Sequence, residues 1–187
     1  MDKHFELTDK FIIDAFGVKL FQIKCTRKIK YADIGDLGGY IEKEDNLSGN
    51  AWVSGKAKVF GNAWVSGNAW VSGEAKVSGE AKVFGNAWVS GKAQVFGNAQ
   101  VFGDAQVSGK AWVSNDNEHC GFDCFGPANR HTHAYKTESG KIEITCGCFR
   151  GSIEEFEKQI KETHRGNEFE RQYMAIVEVI KIKFGLK

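Results

Sequence analysis

The stretch Asn62–Gly73 reads NAWVSGNAWVSG, one six-residue unit written twice, and similar units flank it on both sides. Eleven glycines recur six residues apart from Gly49 to Gly109, and the alanines (Ala51 to Ala111) and valines (Val53 to Val113) keep the same step. Residues two apart on an extended chain point to the same side, so alanine and valine share one face. The unit Gly-x-Ala-x-Val-x therefore predicts short strands with a small apolar face and a turn at each glycine.

This pattern excludes a helix, because glycines in a helix interior cost roughly 1 kcal/mol each. Short strands with a corner every six residues are typical of a parallel β-helix with triangular coils of about 18 residues. The predicted fold class is mainly β: a triangular parallel β-helix with a small C-terminal α+β module. The predicted domains are an N-terminal β segment that caps the helix (1–47), the hexapeptide-repeat β-helix (48–114) and the C-terminal module (115–187).

The repeat resembles the hexapeptide-repeat (left-handed β-helix) family, with valine in the inward aliphatic position and alanine in the inward small position. The resemblance implies a left-handed winding. The glycine stands one place later than in the usual motif of that family, so a right-handed, bactofilin-like helix is the alternative.

The tryptophans of the repeat follow the predicted coil. Trp52, Trp70 and Trp88 stand one coil apart, so they are expected to lie above one another on one face, pointing outward. Three exposed indoles would leave on the order of several hundred Å² of apolar surface in water, which indicates a contact surface. We therefore predict a homo-oligomer, a trimer or dimer, with these residues at its interface. A self-supporting aromatic ladder and a surface that stacks on a ligand are the alternatives.

The periodicity ends after Ser114. A strand predicted over 141–146 pairs with 134–137 across a turn at Glu138-Ser139-Gly140. Ser152-Ile153-Glu154-Glu155 forms a capping box that opens a helix, and a second amphipathic helix closes the chain. These elements predict the small α+β module.

Four of the five cysteines lie in this module, as Cys120-x3-Cys124 and Cys146-x-Cys148. Two thiolate pairs can hold zinc with tetrahedral geometry, and a small module would gain stability from the metal. The sequence thus suggests a zinc site at these four cysteines, with reduced thiols or a redox role as alternatives. The odd number of cysteines argues against a disulfide framework and favours a reducing cytoplasmic compartment.

Polar residues around the predicted hairpin indicate a ligand site. Asn129, Arg130, Thr132 and His133 lie just before the predicted strand at 134–137, and Arg150-Gly151 precedes a helix N-terminus. Arginine binds anions through charge-assisted hydrogen bonds, and a helix N-terminus favours negative charge. We predict that these residues bind a small anionic ligand; a polar loop is the alternative.

Several function classes are disfavoured. The 25 Lys+Arg and 24 Asp+Glu residues balance, so no general binding of nucleic acid is expected. No apolar run approaches the roughly 20 residues that cross a bilayer, so no membrane association is expected. A hexapeptide acyltransferase needs a histidine base, and a γ-type carbonic anhydrase needs three histidines on zinc. Because no histidine lies between His4 and His119, the chain is predicted to be non-enzymatic, with an acyltransferase as a weaker alternative.

The whole chain resembles phage and prophage hexapeptide-repeat proteins. The resemblance rests on GDLGGYIEKEDNLSGNAWVSG at 35–55, the array that follows, and CGCFRGSIEEFEKQIKETH at 146–164. It implies a binding protein in the cytoplasm of the host bacterium, with the β-helix as a rigid oligomerising rod. Such a protein would counter a host defence by sequestering a nucleotide signal or by binding a defence protein. A structural component of a virion or filament is the alternative.

Overall fold

The structure, a computed structural model, describes residues 3–186. It begins with three antiparallel strands, β1 (Phe5–Ile13), β2 (Lys19–Cys25) and β3 (Leu37–Ile41). β1 and β2 form a hairpin with the turn at Asp14–Gly17. β3 also pairs in parallel with the first coil, through Tyr40–Ile41 against Lys58–Val59. The N-terminal segment therefore extends one sheet of the β-helix.

Eleven two-residue strands make up the β-helix, one in each hexapeptide. Strands three apart in the chain pair in parallel, so each coil adds one strand to each of three sheets. The predicted mainly β fold with a parallel β-helix is confirmed; the triangular cross-section and the left-handed winding stay predictions. The strands are β4 (Trp52–Val53), β5 (Lys58–Val59), β6 (Trp64–Val65), β7 (Trp70–Val71), β8 (Lys76–Val77), β9 (Lys82–Val83), β10 (Trp88–Val89), β11 (Gln94–Val95), β12 (Gln100–Val101), β13 (Gln106–Val107) and β14 (Trp112–Val113).

The interior of the β-helix consists of the repeated alanines and valines, none more than 1% exposed from Ala51 to Val113. Each fully buried valine contributes about 1.5–3 kcal/mol from the apolar surface removed from water. The repeated glycine is needed at the corners because consecutive coils approach closely there. At Gly67 φ is +68°, and a Cβ would lie 2.9 Å from the carbonyl oxygen of Gly85 in the next coil.

The C-terminal module is a four-stranded antiparallel sheet with two helices on one face. The strands pair in chain order: β15 (His119–Phe125), β16 (Arg130–Lys136), β17 (Ile142–Cys146) and β18 (Phe149–Gly151). The helices are α1 (Ile153–His164) and α2 (Glu168–Phe184), and α1 opens with the predicted capping box at Ser152 and Glu155. β15 was not predicted from the sequence, because its cysteines and glycine interrupt the alternation of polar and apolar residues that indicates a strand.

The second face of this sheet covers the last coil of the β-helix. Tyr135 is fully buried within the same core as the repeated valines. Its hydroxyl lies 3.2 Å from that of Ser108, and the Thr145 hydroxyl donates to the Gln106 carbonyl at 3.0 Å. Both ends of the β-helix are thus covered, one by β1–β3 and the other by the module. No helix in the described range is long and apolar enough to cross a membrane.

Candidate functional site

The predicted ligand residues lie on both faces of the C-terminal sheet, because side chains alternate along each strand. Thr132 faces the helices, and its hydroxyl lies 3.3 Å from the Cys146 sulfur. His133, the residue that follows Thr132, points to the opposite face of the sheet, toward the β-helix, and is 2% exposed. The structure therefore does not bring Thr132 and His133 into one site.

In the second half of the predicted site, at Arg150 and Gly151, carboxylates of the chain itself take the place that an anionic ligand would need. The Arg150 guanidinium pairs with the Glu143 carboxylate, and this hydrogen bond raises the pKa of Arg150. At the N-terminus of α1, the Glu155 carboxylate accepts the Ser152 backbone N–H at 2.7 Å. An anion placed here would meet that carboxylate. The predicted anion site at this helix N-terminus is not formed.

Arg130 is the predicted residue that remains available for a ligand. Its side chain is exposed and makes no ion pair and no side-chain hydrogen bond within residues 3–186. It lies against the turn between β17 and β18, where a Cβ on Gly147 would come 2.5 Å from Nη1 of Arg130. Asn129, in the turn before it, is exposed with φ of +47°. Gly147 thus leaves room for the guanidinium.

The Arg130 side chain borders a cleft of about 460 Å³ between the β17–β18 turn and the two helices. Its walls carry two arginines, a histidine, an amide and aromatic rings, and no carboxylate of the described residues 3–186 lines it. His164 stacks on Tyr173 with ring centres 5.4 Å apart. The lining residues are Arg130, Cys146, Cys148, Phe149, Arg150, Phe156, Gln159, Ile160, Thr163, His164 and Tyr173.

Tyr173 lies at the floor of this cleft as a neutral hydrogen-bonding group. Its hydroxyl donates to the Phe125 carbonyl at 3.2 Å and lies 3.9 Å from the Cys146 sulfur. Burial, followed by the neighbouring Cys146, raises the pKa of Tyr173 to about 12. The phenol therefore keeps its proton at neutral pH and cannot act there as a base.

Sequence reasoning missed the helical side of the cleft. Gln159 and Thr163 stand one turn apart on α1, with Gln159 Nε2 donating to the Thr163 hydroxyl at 2.8 Å. His164 follows at the end of the same helix. Polar residues four apart beside an apolar stripe are the available signal, but such spacing is equally typical of a solvated helix face.

The four cysteines proposed as zinc ligands are not gathered into one site. Cys124 and Cys148 are exposed, whereas Cys146 is buried beneath the helices. Burial raises the pKa of Cys120 to about 11, so this thiol stays protonated. In the part of the chain that the structure describes, no three His, Cys, Asp or Glu residues are placed to hold a metal ion. The prediction of a zinc site at Cys120, Cys124, Cys146 and Cys148 is therefore not supported.

The tryptophan column is in register, but it is not three exposed indoles. Trp52, Trp70 and Trp88 occupy matching positions on β4, β7 and β10. Trp70 and Trp88 stack with ring centres 5.2 Å apart. Trp52 is only 2% exposed, because the N-terminal segment covers it with His4. Tyr31 takes the next place in the stack, 4.8 Å from Trp70. The prediction that Trp52 is exposed is wrong, because the N-terminal segment covers it and nothing in the repeat indicated that segment.

The comparison with known families agrees with this architecture. A family model described as the YdcK beta solenoid repeat matches residues 93–109, nearly one coil of the β-helix. The match and the strand pairing together support a β-solenoid repeat fold. No curated protein matches it. The β-solenoid positions the C-terminal sheet, and that sheet carries Arg130 at the mouth of the cleft.

Proposed function

We propose that this β-solenoid protein is a non-catalytic binding protein that holds a nucleotide in the cleft beside Arg130. The observation that carries the proposal is the guanidinium of Arg130, which within residues 3–186 has no acidic partner and lies in a cleft without a carboxylate in its walls. Arginine without an acidic partner favours a phosphate, which accepts two parallel hydrogen bonds from the guanidinium.

The remaining walls suit the base and sugar of such a ligand. Phe149 and the stacked His164–Tyr173 pair offer apolar and aromatic surface, and Gln159 offers an amide donor and acceptor. A volume of about 460 Å³ is within the range of small-molecule sites. Charge at one end and aromatic surface along the side together support a nucleotide over a simple inorganic anion.

A binding role is favoured over catalysis by the state of the reactive groups. The phenol of Tyr173 keeps its proton, and the Cys146 thiol is buried between Thr132 and Tyr173. The protonated phenol is not in the form that attacks a substrate at neutral pH. We propose that binding sequesters the nucleotide.

The biological setting follows from the resemblance to phage and prophage hexapeptide-repeat proteins. We propose that the chain acts in the cytoplasm of a host bacterium and counters a defence system by removing its nucleotide signal. The β-helix serves as a rigid rod that assembles copies through the face carrying Trp88, which is 38% exposed. A filament built by stacking β-helix ends is disfavoured, because β1–β3 cover one end and the module covers the other.

Isothermal titration calorimetry with cyclic nucleotides, ADP-ribose and inorganic phosphate tests the proposal. Wild-type protein should bind a nucleotide, and Arg130→Gln should weaken binding about 10-fold to 100-fold, as expected for a lost charge-assisted contact. Arg171→Gln is the matched control, because Arg171 is exposed on α2 and does not line the cleft. Absence of heat with every nucleotide, or equal losses in the two variants, would contradict the proposal.

A further inference from the structure

Three histidines form a hydrogen-bonded row between the C-terminal sheet and the last coil. His119 Nδ1 lies 3.2 Å from His133 Nε2, and His133 Nδ1 lies 3.2 Å from His131 Nε2. At one end, His131 Nδ1 is 2.5 Å from Asp123 Oδ1. At the other, His119 Nε2 is 3.7 Å from Asp116 Oδ1, beyond hydrogen-bond distance. The pairing of β15 with β16 brings the three rings together.

With all three imidazoles neutral, this row has one defect. An ionised Asp123 only accepts, so His131 must carry its proton on Nδ1, and His133 and His119 must then carry theirs on Nδ1 too. The Nε2 atom of His119 is left with a bare lone pair. That atom is buried and has no hydrogen-bond partner within residues 3–186. It also faces the negative charge of Asp116, so the neutral row is strained electrostatically.

One added proton removes the defect. Placed on His119 Nε2, it gives that nitrogen a donor directed at Asp116, while every other contact in the row keeps one donor and one acceptor. The same holds when the positive charge resides on His133 or on His131, because each contact can reverse its direction. All three placements of the charge satisfy the row. The proton is therefore shared along the row between two carboxylates.

The geometry points to a proton-binding site: His119, His133 and His131 take up one shared proton between Asp116 and Asp123. This site also contacts the β-helix, since Asp116 Oδ1 accepts the backbone N–H of Gln100 at 2.8 Å. Loading the row draws Asp116 toward His119 while Asp116 still holds the last coil. Proton uptake is thereby linked to the joint between the β-helix and the module.

The charges around the row set the pH at which it fills. Burial lowers the pKa of His119, against the opposing effect of Asp116. Burial, followed by the charges of its two neighbours, lowers the pKa of His133 well below its ordinary value. Lys183 of α2 donates to the Asp116 carbonyl at 3.3 Å and also disfavours a charged His119. The row is therefore expected to fill below the ordinary pH range of histidine.

Among the remaining groups around the row, the Glu118 carboxylate also favours a charged His119. Glu118 is paired with Lys136 at 3.4 Å, and the Cys120 thiol stays protonated with a pKa of about 11. The ring of Tyr135 lies 6.1 Å from that of His133. The row borders a cavity of about 310 Å³ between the C-terminal sheet and the β-helix. The β-helix contributes Gln100, Phe102 and Ala105 to its walls, and all three are uncharged.

Nuclear magnetic resonance of the histidine rings during a pH titration tests the site on the full chain. From about pH 8 to about pH 4.5, the rings of His119, His131 and His133 should report one common midpoint, and the Gln100 amide should move with it. Asp116→Asn and Asp123→Asn should each lower this midpoint by about one pH unit, because each removes a carboxylate that favours the charged row. Both positions are exposed, so the fold should survive.

Asp33→Asn is the matched control, because Asp33 is an exposed carboxylate of the N-terminal segment that pairs with Lys28. It should leave the midpoint unchanged. His133→Gln should uncouple the row, so that His119 and His131 titrate at separate pH values. Three unrelated midpoints in wild-type protein, a common midpoint that ignores both aspartate substitutions, or no uptake before unfolding would overturn the proposal.

Discussion

The indole nitrogen of Trp70 donates a hydrogen bond to the Ser54 hydroxyl at 2.9 Å, sixteen residues earlier in the chain. The same bond recurs from Trp64 to Ser48 at 2.9 Å and from Trp88 to Ser72 at 3.1 Å. Each of these three tryptophans therefore reaches along the axis to a serine of the preceding coil. These bonds fix the indole orientation in addition to the strand register.

Removing one of these bonds should weaken the β-helix modestly. Ser54→Ala deletes the acceptor of Trp70 and should lower the free energy of unfolding by about 1 kcal/mol, as a typical hydrogen bond does. Urea denaturation monitored by circular dichroism measures the change. Ser78→Ala is the matched control, because the residue sixteen positions later is Gln94 rather than tryptophan. Equal effects of the two substitutions would contradict a stabilising role for the bond.

The sequence was sufficient to predict the β-helix because every hexapeptide repeats the residues that form its interior. Ala51, Val53 and their repeats occupy equivalent environments, so one pattern predicts a whole element. The same redundancy predicted which tryptophans align. It did not predict that Trp52 is covered, because the covering residues, His4 and Phe5, lie in a segment without any repeat.

The cleft was harder to predict because its residues come from separate elements. Arg130 was identified from its polar surroundings, whereas Gln159, His164 and Tyr173 approach it only through helix packing. Arg150 was assigned to the same site and borders the cleft, but strand alternation directs its guanidinium to Glu143 on the opposite face. The strand that carries Arg150, β18, was not predicted, so the face on which this side chain lies was not assigned from the sequence.

Alanine substitutions at two corner glycines of the β-helix should separate the cost of steric crowding from the cost of backbone strain. Gly79 and Gly103 both have positive φ, of 68° and 65°. A Cβ at Gly79 would lie 2.9 Å from the Gly97 nitrogen, whereas a Cβ at Gly103 would have no neighbour within 4 Å. Both Gly79→Ala and Gly103→Ala should cost about 1 kcal/mol from the left-handed backbone. Gly79→Ala should cost at least about 1 kcal/mol more, measured as the difference in unfolding free energy. Indistinguishable variants would show that the coils can separate without penalty.

Acid should destabilise the N-terminal end through His4. Burial lowers the pKa of His4, whose Nε2 lies 2.7 Å from the Ala51 carbonyl oxygen. The unfolded chain therefore binds more protons than the folded chain below about pH 6.5, and stability falls as the pH decreases from there. The slope attributable to this residue is at most about 1.4 kcal/mol per pH unit. Urea denaturation at several pH values measures it.

His4→Gln is the informative variant, because glutamine can keep the bond to the Ala51 carbonyl without titrating. It should flatten the loss of stability in acid. An unchanged slope in His4→Gln would exclude this histidine as a source of acid sensitivity.

The cysteines should behave as independent thiols. Cys124 and Cys148 are exposed, so they should react with a chromogenic disulfide reagent in the folded protein. Cys25 and Cys146 are buried and should react only after unfolding, and Cys120 should be slow because its pKa is raised to about 11. A reaction time course with and without denaturant measures this. Stoichiometric zinc that is released only when the thiols react would contradict the arrangement.

Assembly through the tryptophan face should depend on Trp88 rather than on Trp52. Trp88 is 38% exposed at the open side of the stack, whereas Trp52 is already covered within its own chain. Trp88→Glu places a charge in the proposed interface and should reduce the molar mass measured by light scattering to that of one chain, 20.7 kDa. Lys82→Glu, on a different sheet of the β-helix, is the control and should leave the assembly intact. If wild-type protein already has the mass of one chain, the exposed edge of Trp88 serves no homo-oligomer, and the stack of Tyr31, Trp70 and Trp88 acts only as an internal ladder that fixes the register.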